Sequence, residues 1–331
     1  MMNSEKLYHK LTLTLTITTL LFIVGWVAHV IYVRDRFENI LYVQIRENSP
    51  EYRYINPVLY TDNSNVKYPQ LNRLSKNLSE YIRKNEDKAE RISVYFRDLN
   101  TSMWTGIDED ELYVPSSMFK ILPLIEYLKL AENDPDIFNQ LLPYKKTVDS
   151  DIHYPPRQKI ENGFYSPKVL LGQSIIYSDN DAHDALMTPI IERELGNFYK
   201  NMQLSPLPEK LQNYLSPRDM SRIFRTLYNS TYLTKSYSEQ ALELLTKTDF
   251  TKGIVSGVEA KIAVAHKFGE YTEYPTGLLD IPNHQLHDCG IIYYPKKPYL
   301  LCVMTMGKNF NNLEEVISNI SKIVFSYVNE N

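Results

Sequence analysis

Apolar residues alternate at strand spacing near the two ends of the body of this chain and recur at helical spacing between them. Arg91–Leu99 alternates as a strand, Asn100-Thr101-Ser102 reads as a turn, and Met103–Gly106 follows. Strand character returns at Lys261–Phe268, then at Leu286–Tyr294 and Tyr299–Met306, a hairpin around Pro295-Lys296-Lys297-Pro298. In between, Pro167–Ile176, Asp179–Leu195 and Pro217–Leu227 read as helices, the last with a Ser216-Pro217 start. Leu71, Leu74, Leu78, Tyr81 and Ile82 share one face of a helix ahead of the first strand. Leu313, Val316, Ile317, Ile320, Ile323, Val324 and Tyr327 share one face of the last helix. This order predicts an α+β fold in which an antiparallel sheet is flanked by the terminal helices and an all-helical lobe is inserted. The sheet lobe is expected over 70–115 and 255–331, and the helical lobe over 116–254.

With 331 residues, 43% of them hydrophobic, the chain can bury a sizeable core. A net charge of −4 with both signs interspersed leaves no basic stripe for nucleic acid. Two cysteines, Cys289 and Cys302, exclude a disulfide-rich scaffold and a cysteine-based zinc site. They flank the hairpin and could face each other loosely, but ordinary buried thiols are the expectation.

Leu11–Val33 holds no formally charged residue over 23 positions, enough for a helix to cross roughly 30 Å of hydrocarbon. Lys6 and Lys10 precede it, Arg34 and Arg36 follow, and Trp26 would spoil a cleavage site after Ala28. The expectation is therefore an uncleaved signal anchor over 11–33 with a cytoplasmic tail at 1–10. A stalk at 34–69 would then hold a monomeric body outside the cytoplasm, in a single-pass membrane protein.

Ser117 and Lys120 stand three residues apart at the start of an apolar, helical stretch. On a helix they share a face, with roughly 5–6 Å between their Cβ atoms. A serine hydroxyl becomes a useful nucleophile once a base takes its proton, and a lysine beside it can be that base. Pro123 sits early in this segment, where an interior proline would cost about 3 kcal/mol. Two further stretches matter: Tyr177-Ser178-Asp179-Asn180 between helical segments, and His266-Lys267-Phe268-Gly269-Glu270 at the end of a strand. Asp179, Asp181, His183 and Asp184 could suggest a metal, but the run reads more simply as a polar helical start.

In order and context these stretches match the S-x-x-K, S-D-N and K-T-G elements of class A β-lactamases and penicillin-binding proteins. The chain resembles that family over Leu71–Val328, including the flanking Ile92–Asn100, Tyr177–Leu186, Leu215–Met220 and Asp288–Gly307. The resemblance implies Ser117 as nucleophile, Lys120 as base or proton relay, and Ser178 as donor to the leaving nitrogen. It implies Asn180 and Lys267 as substrate-binding groups and Gly269 as room for substrate beside the strand. The backbone N–H groups of Ser117 and Glu270 would form the oxyanion hole. No metal or cofactor is implied. The substrate would be a β-lactam or a peptidoglycan stem peptide.

The family's deacylating glutamate has one counterpart by spacing, Glu209 in Glu209-Lys-Leu-Gln-Asn213, yet Ser216-Pro217 follows almost at once. A plain surface glutamate is the simpler reading of it. Phe268 stands where the family has a hydroxyl, and Cys289 beside Gly290 where an arginine often assists. The expected activity is opening of a β-lactam ring through a Ser117 acyl-enzyme. A D-Ala-D-Ala carboxypeptidase or penicillin-binding protein is the alternative, and a non-catalytic binding domain of the same fold the second.

Overall fold

The computed structural model describes residues 14–29, 45–46, 51–60, 71–147, 152–202, 204, 214–274 and 281–330. The chain divides into two units, Met1–Val43 and Gln44–Asn331. In the first, residues 14–29 form helix α1, whose side chains are all exposed. Sixteen residues of helix measure about 24 Å, short of a bilayer's hydrocarbon. Among the described residues no helix is long and apolar enough to cross a membrane. The signal anchor expected over Leu11–Val33 is thereby overturned, together with the membrane contact and the single-pass exported placement, while the tail expected at 1–10 lies outside the described residues.

The second unit begins with a small ribbon, β1 (Ile45–Arg46) paired with β2 (Val58–Tyr60). Between them, within the segment read as a stalk, the backbone N–H groups of Arg53, Tyr54 and Ile55 donate to Glu239, and that of Asn56 donates to the Tyr228 carbonyl. Ile55 is buried. Helix α2 (Asn72–Arg83) follows and buries Leu74 and Leu78.

Strands β3 (Arg91–Asp98) and β4 (Trp104–Ile107) form the first hairpin. Helix α3 (Ile121–Ala131) runs through the middle of the helical lobe and is buried from Ile121 to Leu128. Pro123 falls in its first turn, where backbone N–H groups have no intrahelical acceptor to lose, so the expected penalty is avoided. A short ribbon, β5 (Leu142–Tyr144) with β6 (Gly163–Tyr165), leads to α4 (Pro167–Ile176). The single helix expected over Asp179–Leu195 is two, α5 (Asn180–Leu186) and α6 (Pro189–Asn201), because Pro189 opens a new helix at its first position. Helix α7 (Pro217–Tyr228) starts at a capping box between Ser216 and Asp219, and α8 (Lys235–Leu245) completes the lobe.

Strands β7 (Val264–Glu273), β8 (Asn283–Ile292) and β9 (Tyr299–Gly307) then join the first hairpin in a five-stranded antiparallel sheet, ordered β4-β3-β9-β8-β7. Phe96, Val94, Leu301, Val303 and Phe268 pack with α2 and the final helix α9 (Phe310–Glu330) in one core. The opposite face meets α7 and α8. Strand β8 is buried at every residue from Gln285 to Ile292, as a central strand covered on both sides must be. Register sets Cys289 directly opposite Cys302, with Cα atoms 4.0 Å apart, and the two form a disulfide. This corrects the reading of two free thiols.

Candidate active site

The segment leading to Ser117 is anchored before it turns. Tyr113 pairs with Leu215, and the Val114 N–H donates to Gln285 on β8 at 3.1 Å. Ser116 then takes a left-handed φ of 50°, and Ser116–Lys120 winds as a 3-10 turn into α3. A non-glycine residue in that region costs about 1–3 kcal/mol and holds only where its surroundings fix it. Part of that fixing comes from Gly269 on β7, where a Cβ would lie 2.3 Å from the Pro115 carbonyl oxygen. The absence of a side chain at Gly269 therefore makes room for the Ser117 turn.

Lys120, 3% exposed, has its Nζ 2.7 Å from Ser117 Oγ, 2.6 Å from Asn180 Oδ1 and 2.9 Å from the Ser178 carbonyl oxygen. Two of these partners only accept, whereas the serine hydroxyl can donate or accept. A charged Nζ donates to all three. A neutral one donates to the two carbonyl oxygens and takes the Ser117 proton on its lone pair. Both protonation states are therefore satisfied without rearrangement.

Ser178 also has a left-handed φ, 59°, which turns its Oγ between two lysines. Lys267 Nζ donates to it at 2.9 Å and Lys120 Nζ lies 3.4 Å away. Lys267 is fully buried and also donates to the Phe268 carbonyl at 3.1 Å. Burial holds its pKa well below the usual lysine range, and the Lys120 charge adds to this, against Asp288, Asp249 and Glu270. The same two lysines, after burial, lower His183 to about 4, so that ring is uncharged at neutral pH.

Asp179 turns away from the cleft. It caps α5 by accepting from the Asp181 and Ala182 N–H groups and takes the Tyr144 hydroxyl at 2.9 Å. Burial raises its pKa. Asp181 pairs with Lys159 at 2.8 Å; burial would raise it, but Lys159 and Thr147 outweigh that and hold it low. Among the described residues no group of His, Cys, Asp or Glu side chains gathers as a metal site needs.

The strand read as ending at Phe268 runs on to Glu273, so Lys267, Gly269 and Glu270 lie along the edge strand rather than at its tip. Phe268 is buried and points to the α9 face, stacked on Phe250 with centroids 4.1 Å apart and edge-on to Tyr154 at 5.9 Å. It does not line the cleft. Glu270 is the residue whose side chain sequence reasoning missed. Its carboxylate accepts from the backbone N–H groups of His153 and Tyr154, each at 2.9 Å. Glu209 lies outside the described residues.

These groups surround a cleft of about 190 Å³ walled by Ser117, Ser178 and Asn180 on one side and Ile152, Tyr154 and Glu270 on the other. Larger hollows, about 620 Å³ between α2 and α9 and about 520 Å³ beside α3, α4 and α8, hold no paired nucleophile and base. Chemistry, not size, picks out the site.

The Beta-lactamase enzyme family profile matches residues 73–328. No curated protein matches the sequence. Among solved structures, a β-lactamase from Chitinophaga pinensis is similar at TM-score 0.66 and 17% identity, over 77% of this chain and 99% of that one. The extended-spectrum β-lactamase TLA-1 (a mutant) gives 0.66 and 18%, over 78% and 99%. A mutant of PBP-A, solved as its acyl-enzyme complex with penicillin G, gives 0.61 and 17%, over 78% and 98%. Identities this low show a shared fold.

Proposed function

Because the chain belongs to the Beta-lactamase enzyme family, we propose that it is an active-site-serine hydrolase that opens the β-lactam ring by acylating Ser117. The observation that carries this reading is the unbroken path Ser117 Oγ, Lys120 Nζ, Ser178 Oγ, Lys267 Nζ, with steps of 2.7, 3.4 and 2.9 Å. Lys120 takes the Ser117 proton as Oγ attacks the lactam carbonyl. The backbone N–H groups of Ser117 and Glu270 hold the oxyanion, where one lost donor costs ~10²–10³ in rate. As the C–N bond breaks, the proton passes from Lys120 through Ser178 Oγ to the leaving nitrogen. Lys267 donates to Ser178 Oγ and keeps it in place. Asn180, already held by Lys120, offers its amide to the substrate side chain.

A second reading rests on the acids. Among the described residues, Asp179 caps α5, Asp181 binds Lys159, and Glu270 accepts two backbone N–H groups. None is free to activate a deacylating water. A penicillin-binding-type D-Ala-D-Ala carboxypeptidase with slow deacylation towards β-lactams fits that arrangement. Steady-state hydrolysis of a chromogenic cephalosporin, beside release of D-alanine from a stem pentapeptide, separates the two. Fast cephalosporin turnover lost in Ser117→Ala supports the β-lactamase. D-alanine release with a persistent penicillin adduct supports the peptidase. Neither activity from folded protein would leave the non-catalytic binding domain.

A further inference from the structure

The wall of the cleft opposite the serines is held by contacts that the acylation chemistry does not use. Segment 152–154 comes from between β5 and β6, yet it lies along β7 because Glu270 reaches out of the edge strand and takes two consecutive backbone N–H groups, those of His153 and Tyr154. Bonds to an ionised acceptor are stronger than neutral ones, and two of them fix both position and angle. The side chains of the segment are seated from behind. The His153 ring stacks on Phe310 with centroids 4.3 Å apart, and the Tyr154 ring meets Phe250 edge-on at 5.1 Å. The Tyr154 hydroxyl donates to Glu314 of α9 at 2.6 Å. What remains turned toward Ser117 is Ile152 and one side of Tyr154.

We infer that Glu270 is a specificity-determining residue: its carboxylate latches the 152–154 segment against the strand edge, sets the width of the cleft, and restricts the enzyme to acyl donors with compact side chains. The inference rests on the serine-hydrolase reading. Glu270 is suited to this because its backbone belongs to the edge strand β7 beside the Ser117 turn while its half-buried carboxylate reaches the 152–154 segment. With the carboxylate gone, two N–H groups on the inner side of the segment lose their acceptor. An unmade bond of that kind drives the segment outward to water.

Three proteins test it, each as the full chain: wild type, Glu270→Gln and Glu314→Ala. Glutamine keeps the shape but replaces one of the two accepting oxygens with an NH2 donor that faces an N–H. Glu314 lies on α9 outside the cleft, so its loss frees Tyr154 without touching the serine side. The first readout is the second-order rate of Ser117 acylation by a penicillin with a bulky acyl side chain, divided by that for one with a compact side chain. The ratio should rise about tenfold or more in Glu270→Gln, the scale on which pockets discriminate by shape, and less in Glu314→Ala. The second readout is hydrogen exchange at the His153 and Tyr154 amides, which should quicken in Glu270→Gln. An unchanged ratio, or amides that stay protected, overturns the latch. If neither penicillin acylates the wild type, the hydrolase reading fails and specificity falls with it, while the exchange experiment still decides the latch.

Discussion

The two walls of the cleft are built by opposite means. The serine wall is polar and made of short local segments: Ser117 and Lys120 on one turn, Ser178 and Asn180 on another, each turn opened by a left-handed serine. Its lysines are buried and donate to oxygens of Ser117, Ser178, Asn180 and Phe268. The facing wall is aromatic, assembled from segments far apart in sequence, and tied by one carboxylate to two backbone groups. The proposed acylation chemistry falls mainly to the first wall, to which the second adds the Glu270 N–H, and shape falls to the second. The comparison implies that substitutions on the serine wall alter rates, whereas substitutions behind the aromatic wall alter stability and selectivity.

The largest expected effect is on the first wall. Lys120→Met removes the base and leaves Asn180 Oδ1 and the Ser178 carbonyl without their donor. The acylation rate should fall by ~10³–10⁴, measured as single-turnover labelling by a fluorescent penicillin. Next, Phe268→Thr should break the comparison if the aromatic position were catalytic. It recreates the hydroxyl of the related motif, yet the ring is buried against Phe250 and Tyr154. A loss of about 3–4 kcal/mol of stability in urea is expected, with no gain in acylation.

Gly269→Ala sharpens the link between the walls, because the added methyl meets the Pro115 carbonyl. About 2–3 kcal/mol of stability should go, and acylation should slow alongside it as the nucleophile turn shifts. The smallest effect belongs to neither wall. Glu126 on α3 is buried, the Tyr232 hydroxyl donates to it, and burial lifts its pKa to about 7. The folded chain therefore keeps a proton there that the unfolded chain releases near pH 4.5. Stability should fall by on the order of 3 kcal/mol as pH rises from 4.5 to above 7. Thermal unfolding of Glu126→Gln should lose that slope and leave acylation unaffected.

Most of the first wall was legible because its chemistry is local. Ser117 and Lys120 are brought together by one turn, and Ser178 and Asn180 by the start of α5, so short motifs carry them and the family resemblance proposes their roles. The sheet at the two ends of the body was legible for the same reason, through alternation within single strands. The Cys289–Cys302 disulfide was not, since it depends on which residues of β8 and β9 stand opposite. Neither was the Glu270 latch, whose partners lie 117 and 116 residues away and are backbone groups with no residue type to read. The break before Pro189 was available in the sequence and was overridden by continuous helical periodicity. The stretch at Leu11–Val33 misled because uncharged length was taken for spanning length, whereas the described helix is sixteen residues.

The claim on which everything else stands is that Ser117 is the residue acylated. Peptide mapping by mass spectrometry after incubation with penicillin G tests it directly. One intact penicillin should be found on the peptide holding Ser117, and should be absent from Ser117→Ala. A folded protein that takes no adduct, or an adduct that survives Ser117→Ala, would contradict the account.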